Sequence, residues 1–355
     1  MGVITIVGAG MMGSALSWPL ADNGHTVRLV GTPLDREIIA SLRKDGFHPK
    51  LQRRLPAGVE FYDDQQVAQA LKGADIVGSG VSSFGVDWFA SEVGPLLSPG
   101  VPVIAVTKGL VDEPDGRLVI LPDLLESRLP PSLKGKIPMN AIGGPCIAHE
   151  LAARRQTAVV FCGRDKVTLS GLKGTFSTPY YHVEVSTDLV GVEVAAALKN
   201  GYALGVGLAV GLMEQAGPDG LAAMYNPQAA LFAQGCLEMR RMLEVMGRDP
   251  ALVSWLPGAG DLYVTVFGGR TVRLGKLLGQ GVSFKEARRR MAGETLESVE
   301  IISRVARALP RLEVRGLARQ ADFPLLCYLN ALLQDENPTP IPWELFFGEA
   351  GGGEH

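Results

Sequence analysis

Lys199 lies in one of the most apolar stretches of the chain, residues 194–213 (VAAALKNGYALGVGLAVGLM). Burying an unpaired ammonium costs so much free energy that such a group finds a partner or loses its proton. A lysine that gives and takes a proton near neutral pH is what the reduction of a carbonyl needs. Two other interpretations stay open: the side chain snorkels to the surface, or the stretch crosses a membrane. The adjacent Asn200 and the glycines favour a core helix over a membrane span.

Three glycines, Gly8, Gly10 and Gly13, have the spacing of a dinucleotide-binding loop and follow a short β-branched segment. Gly8 permits a tight turn, Gly10 lets the backbone approach a pyrophosphate, and Gly13 lets the next helix pack on the strand. Amides at the start of that helix would face the phosphates. In this context the spacing predicts NAD or NADP binding, the alternative being a structural turn with no ligand.

The end of the second predicted strand bears on the choice of cofactor. NAD sites usually place an acid there, for the ribose hydroxyls. Here the tip reads Val30, Gly31, Thr32 and Pro33, and the nearest acid is Asp35. The absence of an acid at the tip mildly favours NADP, and Asp35 is equally well explained as a helix cap or a surface residue.

A second set of residues suits a phosphorylated ligand. Lys108 and the pair Gly144 and Cys146 follow predicted strands, and open α/β sheets bind ligands at the carboxyl ends of their strands. Residues 268–271 combine glycines with a guanidinium and a hydroxyl, which suits a phosphate. Asp261 is a candidate helix N-cap or a partner for a lysine. Taken singly, a loop lysine and an arginine at a helix start are equally well explained as surface residues.

The elements that must position these residues change character along the chain. In the first half, short apolar segments alternate with helical periodicity, which predicts a Rossmann-like, doubly wound and mostly parallel sheet. Strands are expected at residues 3–7, 26–30, 59–62, 75–81, 101–106, 140–142, 157–162 and 181–185. Helices are expected there at residues 11–22, 34–42 and 65–71, with a polar connection at 46–58.

The second half carries helical periodicity only. Helices are expected at residues 189–212, 228–246, 272–278, 284–292, 297–308 and 323–334. We therefore predict an α/β dinucleotide-binding domain over residues 1–187 and an all-α C-terminal domain over residues 188–355.

Charge and cysteine usage exclude several classes of protein. Proteins that bind nucleic acid usually carry an excess of positive charge, whereas this chain has a net charge of −3, so no nucleic-acid partner is expected. The cysteines form no CxxC or Cys/His cluster, which argues against disulfides and a structural metal and fits a cytoplasmic location. They lie far apart, at Cys146, Cys162, Cys236 and Cys327. The N-terminus runs directly into the first predicted strand, so no signal peptide is expected.

Taken in order, these motifs resemble those of the NAD(P)-dependent glycerol-3-phosphate dehydrogenases, over nearly the whole chain. The segments are GAGMMGSAL, VTKGL, GGPCIAHELA, ALKN, GAGDL and GGRTVRLGKLLGQG. They resemble, respectively, the family's cofactor loop, its lysine–glycine, GPSFA-type and lysine–asparagine motifs, its Asp motif and its phosphate loop. The resemblance implies a Rossmann-like domain followed by an all-α domain. It also implies interconversion of dihydroxyacetone phosphate and sn-glycerol 3-phosphate with NAD(P)(H).

The resemblance further implies a role for each matching residue. Lys199 would be the general acid/base, Lys108 would help to polarise the substrate carbonyl, and Asp261 would hold the lysine and substrate network. Substrate binding is expected from Lys108, Gly144, Cys146, Lys199, Asp261, Gly269, Arg270 and Thr271. Cofactor binding is expected from Gly8, Gly10, Met11, Met12, Gly13, Thr32, Lys108, Ala148, Arg270 and Glu294.

Some positions depart from the family pattern. Thr271 stands where the family usually has asparagine, and Cys146 where it usually has serine or threonine. Asn226 matches the family's motif weakly, and Gln156 replaces a common proline. These departures leave the strict identity of the substrate open.

Two other functions stay open at this point. One is a related two-domain dehydrogenase for another hydroxy acid or an opine-type substrate, which would not need a phosphate. The other is a regulatory nucleotide-binding protein without turnover. In the dehydrogenase hypothesis, the site lies in the crevice between the domains, and Lys199 is expected near Asp261 and Lys108. No membrane span is expected, and the apolar helices are compatible with a homodimer.

Overall fold

The computed structural model describes residues 1–215, 225–334 and 340–348. Its strands are β1 (Val3–Val7), β2 (Thr26–Val30), β3 (Phe47–His48), β4 (Arg53–Arg54), β5 (Glu60–Tyr62), β6 (Ile76–Ser79), β7 (Val103–Ala105), β8 (Leu110–Asp112), β9 (Leu118–Ile120), β10 (Met139–Gly143), β11 (Thr157–Gly163) and β12 (Tyr181–Ser186).

The helices of the first half are α1 (Met11–Ala15), α2 (Ser17–Asp22), α3 (Arg36–Asp45), α4 (Val67–Leu71), α5 (Val86–Trp88), α6 (Leu121–Arg128), α7 (Ala148–Ala152) and α8 (Lys166–Phe176). Those of the second half are α9 (Leu189–Gln215), α10 (Tyr225–Val245), α11 (Asp261–Thr265), α12 (Arg270–Gly279), α13 (Phe284–Arg290), α14 (Glu297–Val314), α15 (Pro324–Gln334) and α16 (Trp343–Phe347).

The central sheet has eight strands in the order β12-β11-β10-β7-β6-β1-β2-β5. Neighbouring strands are parallel except at the β10–β11 pair, so the predicted mostly parallel, Rossmann-like sheet is confirmed. Because β1, β7 and β10 run in the same direction, their carboxyl ends meet at one edge. The glycine loop, Lys108 and Gly144 directly follow these ends.

Burial explains why the strands form where they do. Ile4 and Ile6 of β1 and Leu29 of β2 have at most 1% of their surface exposed, and they belong to the core cluster of the first half. Runs of β-branched and aliphatic residues with both faces covered are typical of central parallel strands. The predicted strands therefore match the observed ones within a few residues.

Two hairpins lie where no strand was predicted. Residues 46–58, interpreted as a polar connection, contain the antiparallel β3–β4 pair. The β8–β9 hairpin lies just after Lys108. Strands of two or three residues are too short to carry a detectable period, and their stability comes from the elements on which they pack.

The chain forms two compact units. One comprises residues 1–108 and 120–193, and the other comprises residues 109–119 together with the chain from 194 onward. The predicted boundary at 187/188 lies close to the boundary at 193/194. It does not account for residues 109–119, the β8–β9 hairpin, which belong to the helical unit. The helical unit accordingly contains a two-stranded hairpin beside its helices.

The hairpin is held to α14 by arginines. Arg304 donates to the carbonyl of Leu110 at 2.7 Å, and Arg307 binds both carboxylate oxygens of Asp112 at 2.8 and 2.9 Å. A bidentate arginine–carboxylate pair fixes orientation as well as distance. These contacts account for the membership of residues 109–119 in the helical unit.

Helix α9 is the longest element and carries Lys199. It has 27 residues and is long and apolar enough to cross a membrane, and 94% of its most apolar window is buried inside the protein. Glycines bring it against α12. A Cβ atom on Gly275 would lie 2.4 Å from the carbonyl oxygen of Leu204, and one on Gly211 would lie 2.1 Å from that of Lys276. The two backbones are therefore in direct contact.

Candidate active site

The glycine loop joins β1 to α1 in a conformation that requires glycine. Gly8 has φ +114°, and a Cβ atom there would lie 2.5 Å from the backbone of Gly80. A Cβ atom on Gly13 would lie 2.2 Å from the carbonyl oxygen of Gly8. Beside Gly10, in contrast, the nearest atom would be 3.9 Å away, so this side of the loop is open. The loop therefore fits the close approach of a pyrophosphate.

Asp35 closes the inner side of the loop. Its Oδ2 accepts hydrogen bonds from the amide of Ala9 at 3.1 Å, the amide of Thr32 at 3.0 Å and the hydroxyl of Thr32 at 2.7 Å. The residue is 8% exposed and is followed by α3. Its carboxylate thus serves the protein's own backbone, and the interpretation of Asp35 as a surface residue is wrong.

Lys108 lies half-buried after β7. Its Nζ donates to the carbonyl of Gly144 at 3.2 Å. Gly144 itself has φ +106°, a value that favours glycine, and it follows the last residue of β10. Ala148, the first residue of α7, is buried in the same core cluster against which Cys146 packs. These residues therefore gather around the carboxyl ends of β7 and β10, as the sequence predicted.

A buried carboxyl lies close to this group. Glu193 has no exposed surface, and neither of its oxygens has a hydrogen-bond partner in the described part of the chain. Burial raises the pKa of Glu193 to about 8, while the nearby charge of Lys108 acts to lower it. The sequence gives no signal for this residue, because a glutamate in a helix is ordinarily exposed at the surface.

In the helical unit Lys199 forms an ion pair. Its Nζ lies 2.7 Å from Oδ1 of Asp261 and 2.8 Å from the hydroxyl of Thr265. The side chain of Lys199 is 10% exposed and that of Asp261 is 2% exposed. The ammonium therefore does not snorkel into solvent. Asp261 is the first residue of α11, whose N-cap is Gly260, so the interpretation as an N-cap is replaced by that of a lysine partner.

Thr265 completes the geometry of this pair. It lies one helical turn after Asp261, and its hydroxyl donates to the carbonyl of Asp261 at 2.6 Å while accepting from Lys199. A hydroxyl that donates on one side and accepts on the other fixes the position of the ammonium. Threonine carries no charge, so no sequence pattern pointed to it.

A cavity of about 180 Å³ lies beside this pair. It is lined by Asn200, Thr265, Gly268, Gly269, Arg270, Thr271, Thr295 and Glu297. The volume suits a small ligand rather than a drug-sized one. The predicted phosphate loop, residues 269–271, thus shares a cavity with the hydroxyl that holds Lys199.

The first turn of α12 forms one wall of the cavity. Gly269, with φ +90°, precedes the helix, so its first amides and the guanidinium of Arg270 are available together. A helix N-terminus and an arginine both favour a dianionic phosphate. The arrangement can hold the phosphate end of a small substrate.

Glu294, which is predicted to contact the cofactor, forms an ion pair in the helical unit. Its carboxylate pairs with Arg273 at 2.5 Å. Glu297, three residues later, lines the cavity instead. Asn200, Thr295 and Glu297 also line the cavity but were not among the predicted ligands. Thr295 and Glu297 lie at the start of α14, where polar residues are ordinarily explained as caps.

Two protein-family models match the chain. The model described as the N-terminus of NAD-dependent glycerol-3-phosphate dehydrogenase matches residues 3–168. The model described as the C-terminus of the same enzyme matches residues 188–340. Together they span most of both compact units.

Individual relatives agree with the family models. The chain is 37% identical over 285 residues to an NADP(+)-dependent glycerol-3-phosphate dehydrogenase of Archaeoglobus fulgidus, covering 80% of this chain and 82% of the relative. It is 33% identical to a glycerol-3-phosphate dehydrogenase [NAD(P)+] of Geobacter metallireducens, covering 85% and 87%. The crystal structure of glycerol-3-phosphate dehydrogenase from Coxiella burnetii is similar with a TM-score of 0.76 at 27% identity, covering 94% of each chain.

Proposed function

The chain belongs to the NAD-dependent glycerol-3-phosphate dehydrogenase family, and from this premise we propose how its own residues carry out the reaction. The protein is an oxidoreductase that interconverts dihydroxyacetone phosphate and sn-glycerol 3-phosphate with NAD(P)(H). The observation that supports the catalytic proposal is the buried Lys199–Asp261 pair beside the cavity formed by the phosphate loop.

Lys199 acts as the general acid/base. Reduction of the ketone builds negative charge on the C2 oxygen, and a protonated Lys199 stabilises that charge and donates the proton. In the oxidative direction the neutral amine accepts the proton from the C2 hydroxyl. Asp261 and Thr265 hold the ammonium in place, since both lie within hydrogen-bond distance of Nζ.

Arg270 and the amides that follow Gly269 bind the phosphate. Because the phosphate does not react, its binding energy is used to position C2. Thr271 contributes a hydroxyl from the same turn. Lys108 assists in this proposal by polarising the substrate carbonyl, and Gly144 and Cys146 remain proposed substrate-binding residues.

The dinucleotide is held by the glycine loop. Gly8, Gly10, Met11, Met12 and Gly13 provide the pyrophosphate site, with Thr32 and Ala148 contributing further contacts. When bound, the reduced nicotinamide supplies the hydride. We propose NADP as the preferred cofactor, because the Asp35 carboxylate that would bind ribose hydroxyls is engaged by the loop itself. The Archaeoglobus relative is named as NADP(+)-dependent, which supports the same choice.

Glu297 replaces Glu294 in this proposal as the acidic residue beside the ligand. Glu297 lines the cavity, whereas Glu294 is engaged with Arg273. We further propose that α9 is a core helix and that the protein acts in the cytoplasm, where free cysteines are stable. The apolar helices are compatible with a homodimer, which light scattering of the purified protein would measure.

The deciding experiment follows the oxidation of NADPH and of NADH with dihydroxyacetone phosphate and with unphosphorylated ketones and keto acids. We expect turnover only with the phosphorylated ketone and a lower KM for NADPH than for NADH. Faster turnover with an unphosphorylated hydroxy acid or keto acid would instead support the related dehydrogenase. Cofactor binding without any turnover would support a regulatory protein.

A further inference from the structure

Ala9 lies between the first two glycines of the cofactor loop. Side chains form hydrogen bonds with both its backbone N–H and its backbone carbonyl. Its amide donates to Oδ2 of Asp35 at 3.1 Å. Its carbonyl lies 3.0 Å from Nε2 of His48 and also accepts from the hydroxyl of Ser14 at 3.2 Å. Ala9 and His48 have no exposed surface. These contacts are therefore made on the inner side of the loop, away from the open side at Gly10.

The hydrogen bonds of His48 fix its tautomer. Its Nδ1 accepts from the amide of Leu51 at 3.1 Å, so the proton of the neutral ring lies on Nε2 and is donated to Ala9. Burial lowers the pKa of His48 below its usual value, with the Asp35 charge acting to raise it and Lys50 to lower it. A second proton would have to sit on Nδ1, opposite the N–H of Leu51, where two donors would face each other.

The β3–β4 hairpin is the element that places this ring. His48 pairs with Arg53 and Phe47 with Arg54, and the amide of Leu55 donates to the carbonyl of Gly46. Leu51 and Leu55 anchor the hairpin because both are buried in the core cluster of the first half. This short hairpin thereby places a buried hydrogen-bond donor against the cofactor loop.

We propose that Asp35 and His48 are positioning residues that hold the glycine loop in its cofactor-binding shape before NAD(P)H binds. The inference rests on the proposed use of this loop as the cofactor site. Hydrogen bonds to the peptide groups on both sides of Ala9 order the loop before the cofactor binds. Binding then does not have to supply the free energy of ordering the loop, so the affinity for cofactor depends on side chains that do not contact it. Because a proton on Nδ1 would face the amide N–H of Leu51, protonation of His48 displaces the ring from its place against Ala9, and the affinity for cofactor falls.

The test is the dissociation constant of NADPH, measured by fluorescence titration between pH 5.5 and 8 without any turnover. The variants are His48→Leu, which removes the donor, and His48→Gln, whose amide can donate to Ala9 and does not titrate. His25→Gln is the control, since His25 is also partly buried in this unit and instead accepts from the amide of Gly2.

We expect the wild-type affinity to hold down to about pH 6.5, the usual pKa of histidine, and to weaken only at lower pH, because burial lowers the pKa of His48. His48→Leu should bind NADPH about tenfold more weakly at pH 8, with kcat at saturating cofactor changed by less than about twofold. His48→Gln should bind within about threefold of wild type at pH 8 and lose the acid dependence, whereas His25→Gln should keep it.

Substitutions of Asp35 provide a second test of the proposal. Asp35→Ala should weaken NADPH binding about tenfold, and Asp35→Asn should recover most of it, because an amide oxygen still accepts from Ala9 and Thr32. A His48→Leu variant that melts with wild-type cooperativity and binds NADPH within twofold of wild type would overturn the proposal, as would a His48→Gln variant with the full acid dependence. Failure of the wild-type protein to bind NADPH at all would overturn the proposed function instead.

Discussion

Lys199 and Asp261 are both buried, so neither charge is tolerable without the other. Removing one partner of such a pair leaves an uncompensated charge in the interior, which costs about 3–5 kcal/mol. A test of catalysis at this position must therefore keep the positive charge. Arginine does so, and its guanidinium cannot donate a proton at neutral pH.

We predict that Lys199→Arg lowers kcat by about 10²–10⁴-fold, the usual contribution of a general acid or base. NADPH binding should be unchanged, because the glycine loop belongs to the other unit. Steady-state kinetics and fluorescence titration measure the two quantities. Lys285→Arg, an exposed site on α13, is the matched control. A Lys199→Arg enzyme with near-normal kcat would rule out the assignment of Lys199.

Arg270 is predicted to act on binding rather than on chemistry. Arg270→Ala should raise the KM for dihydroxyacetone phosphate about 10–100-fold, since a charged hydrogen bond contributes about 1.5–3 kcal/mol. Arg273→Ala is the control on the same helix, because its exposed pair with Glu294 contributes little. Equal effects of the two substitutions on KM would contradict a specific phosphate contact at Arg270.

Residues of the site were predictable to different degrees. The Lys199–Asp261 pair and the cavity wall at residues 269–271 could be predicted, because a charge in an apolar stretch and clustered glycines are rare patterns. Thr265, His48 and Glu193 were missed for a physical reason. Their roles depend on which groups the fold brings against them, and that information is distributed over distant parts of the chain.

At the scale of elements, the crossing of α9 and α12 links Lys199, the proposed acid/base, to the proposed phosphate loop. The glycines on each helix face the backbone of the other, so the two helices approach without intervening side chains. Since α12 begins at Arg270 and α9 contains Lys199, this packing sets the distance between the two ends of the substrate site. The three described atoms nearest to an added Cβ on Gly275 all belong to the backbone, which cannot move aside as a flexible side chain could.

We predict that Gly275→Ala destabilises the protein by about 1–3 kcal/mol, the usual cost of overpacking, because its Cβ atom would lie 2.4 Å from the carbonyl oxygen of Leu204. It should also raise the KM for dihydroxyacetone phosphate. Gly174→Ala in α8 is the control: nothing lies within 4 Å of its added Cβ, so stability should rise by up to about 1 kcal/mol. Urea denaturation measures both, and a neutral Gly275→Ala would show that the helices separate at little cost.

The elements themselves were largely predictable. Long strands and helices follow from burial with a regular period, as in β1 and α14. Helix α14 continues through Pro310 to Val314, beyond the predicted end at Ala308. Its buried residues recur at helical spacing on both sides of the proline, so packing of the apolar face outweighs the local penalty of proline.

At the scale of the whole molecule, buried carboxyls couple stability to pH. Burial raises the pKa of Glu238 to about 7, although Tyr202, Gln234 and the amides of Leu325 and Leu326 all donate to it. Glu193 has a higher pKa, about 8, and no hydrogen-bond partner among the described residues. For both groups the folded state binds a proton that the unfolded chain has lost above pH 4.5.

The sign of the effect follows from linkage. A raised folded-state pKa contributes stability that is fully present below pH 4.5 and is lost as pH rises through about 8 for Glu193. Glu193→Gln cannot ionise, so we predict that it is more stable than wild type by about 1–3 kcal/mol at pH 9. At pH 5 the two proteins should differ little. Chemical denaturation at both pH values measures this, and a pH-independent difference would contradict a protonated Glu193.

The β8–β9 hairpin has a consequence for the order of biosynthesis. Asp112 and its partner Arg307 are separated by 195 positions in the chain. At a synthesis rate of about 5–20 residues per second, the hairpin leaves the ribosome roughly 10–40 s before the helix that holds it. The sheet strands that precede and follow the hairpin in the chain can pair in that interval, whereas the hairpin still lacks its partners on α14. The hairpin therefore cannot gain its contacts with α14 until residue 307 and the rest of that helix have been synthesised.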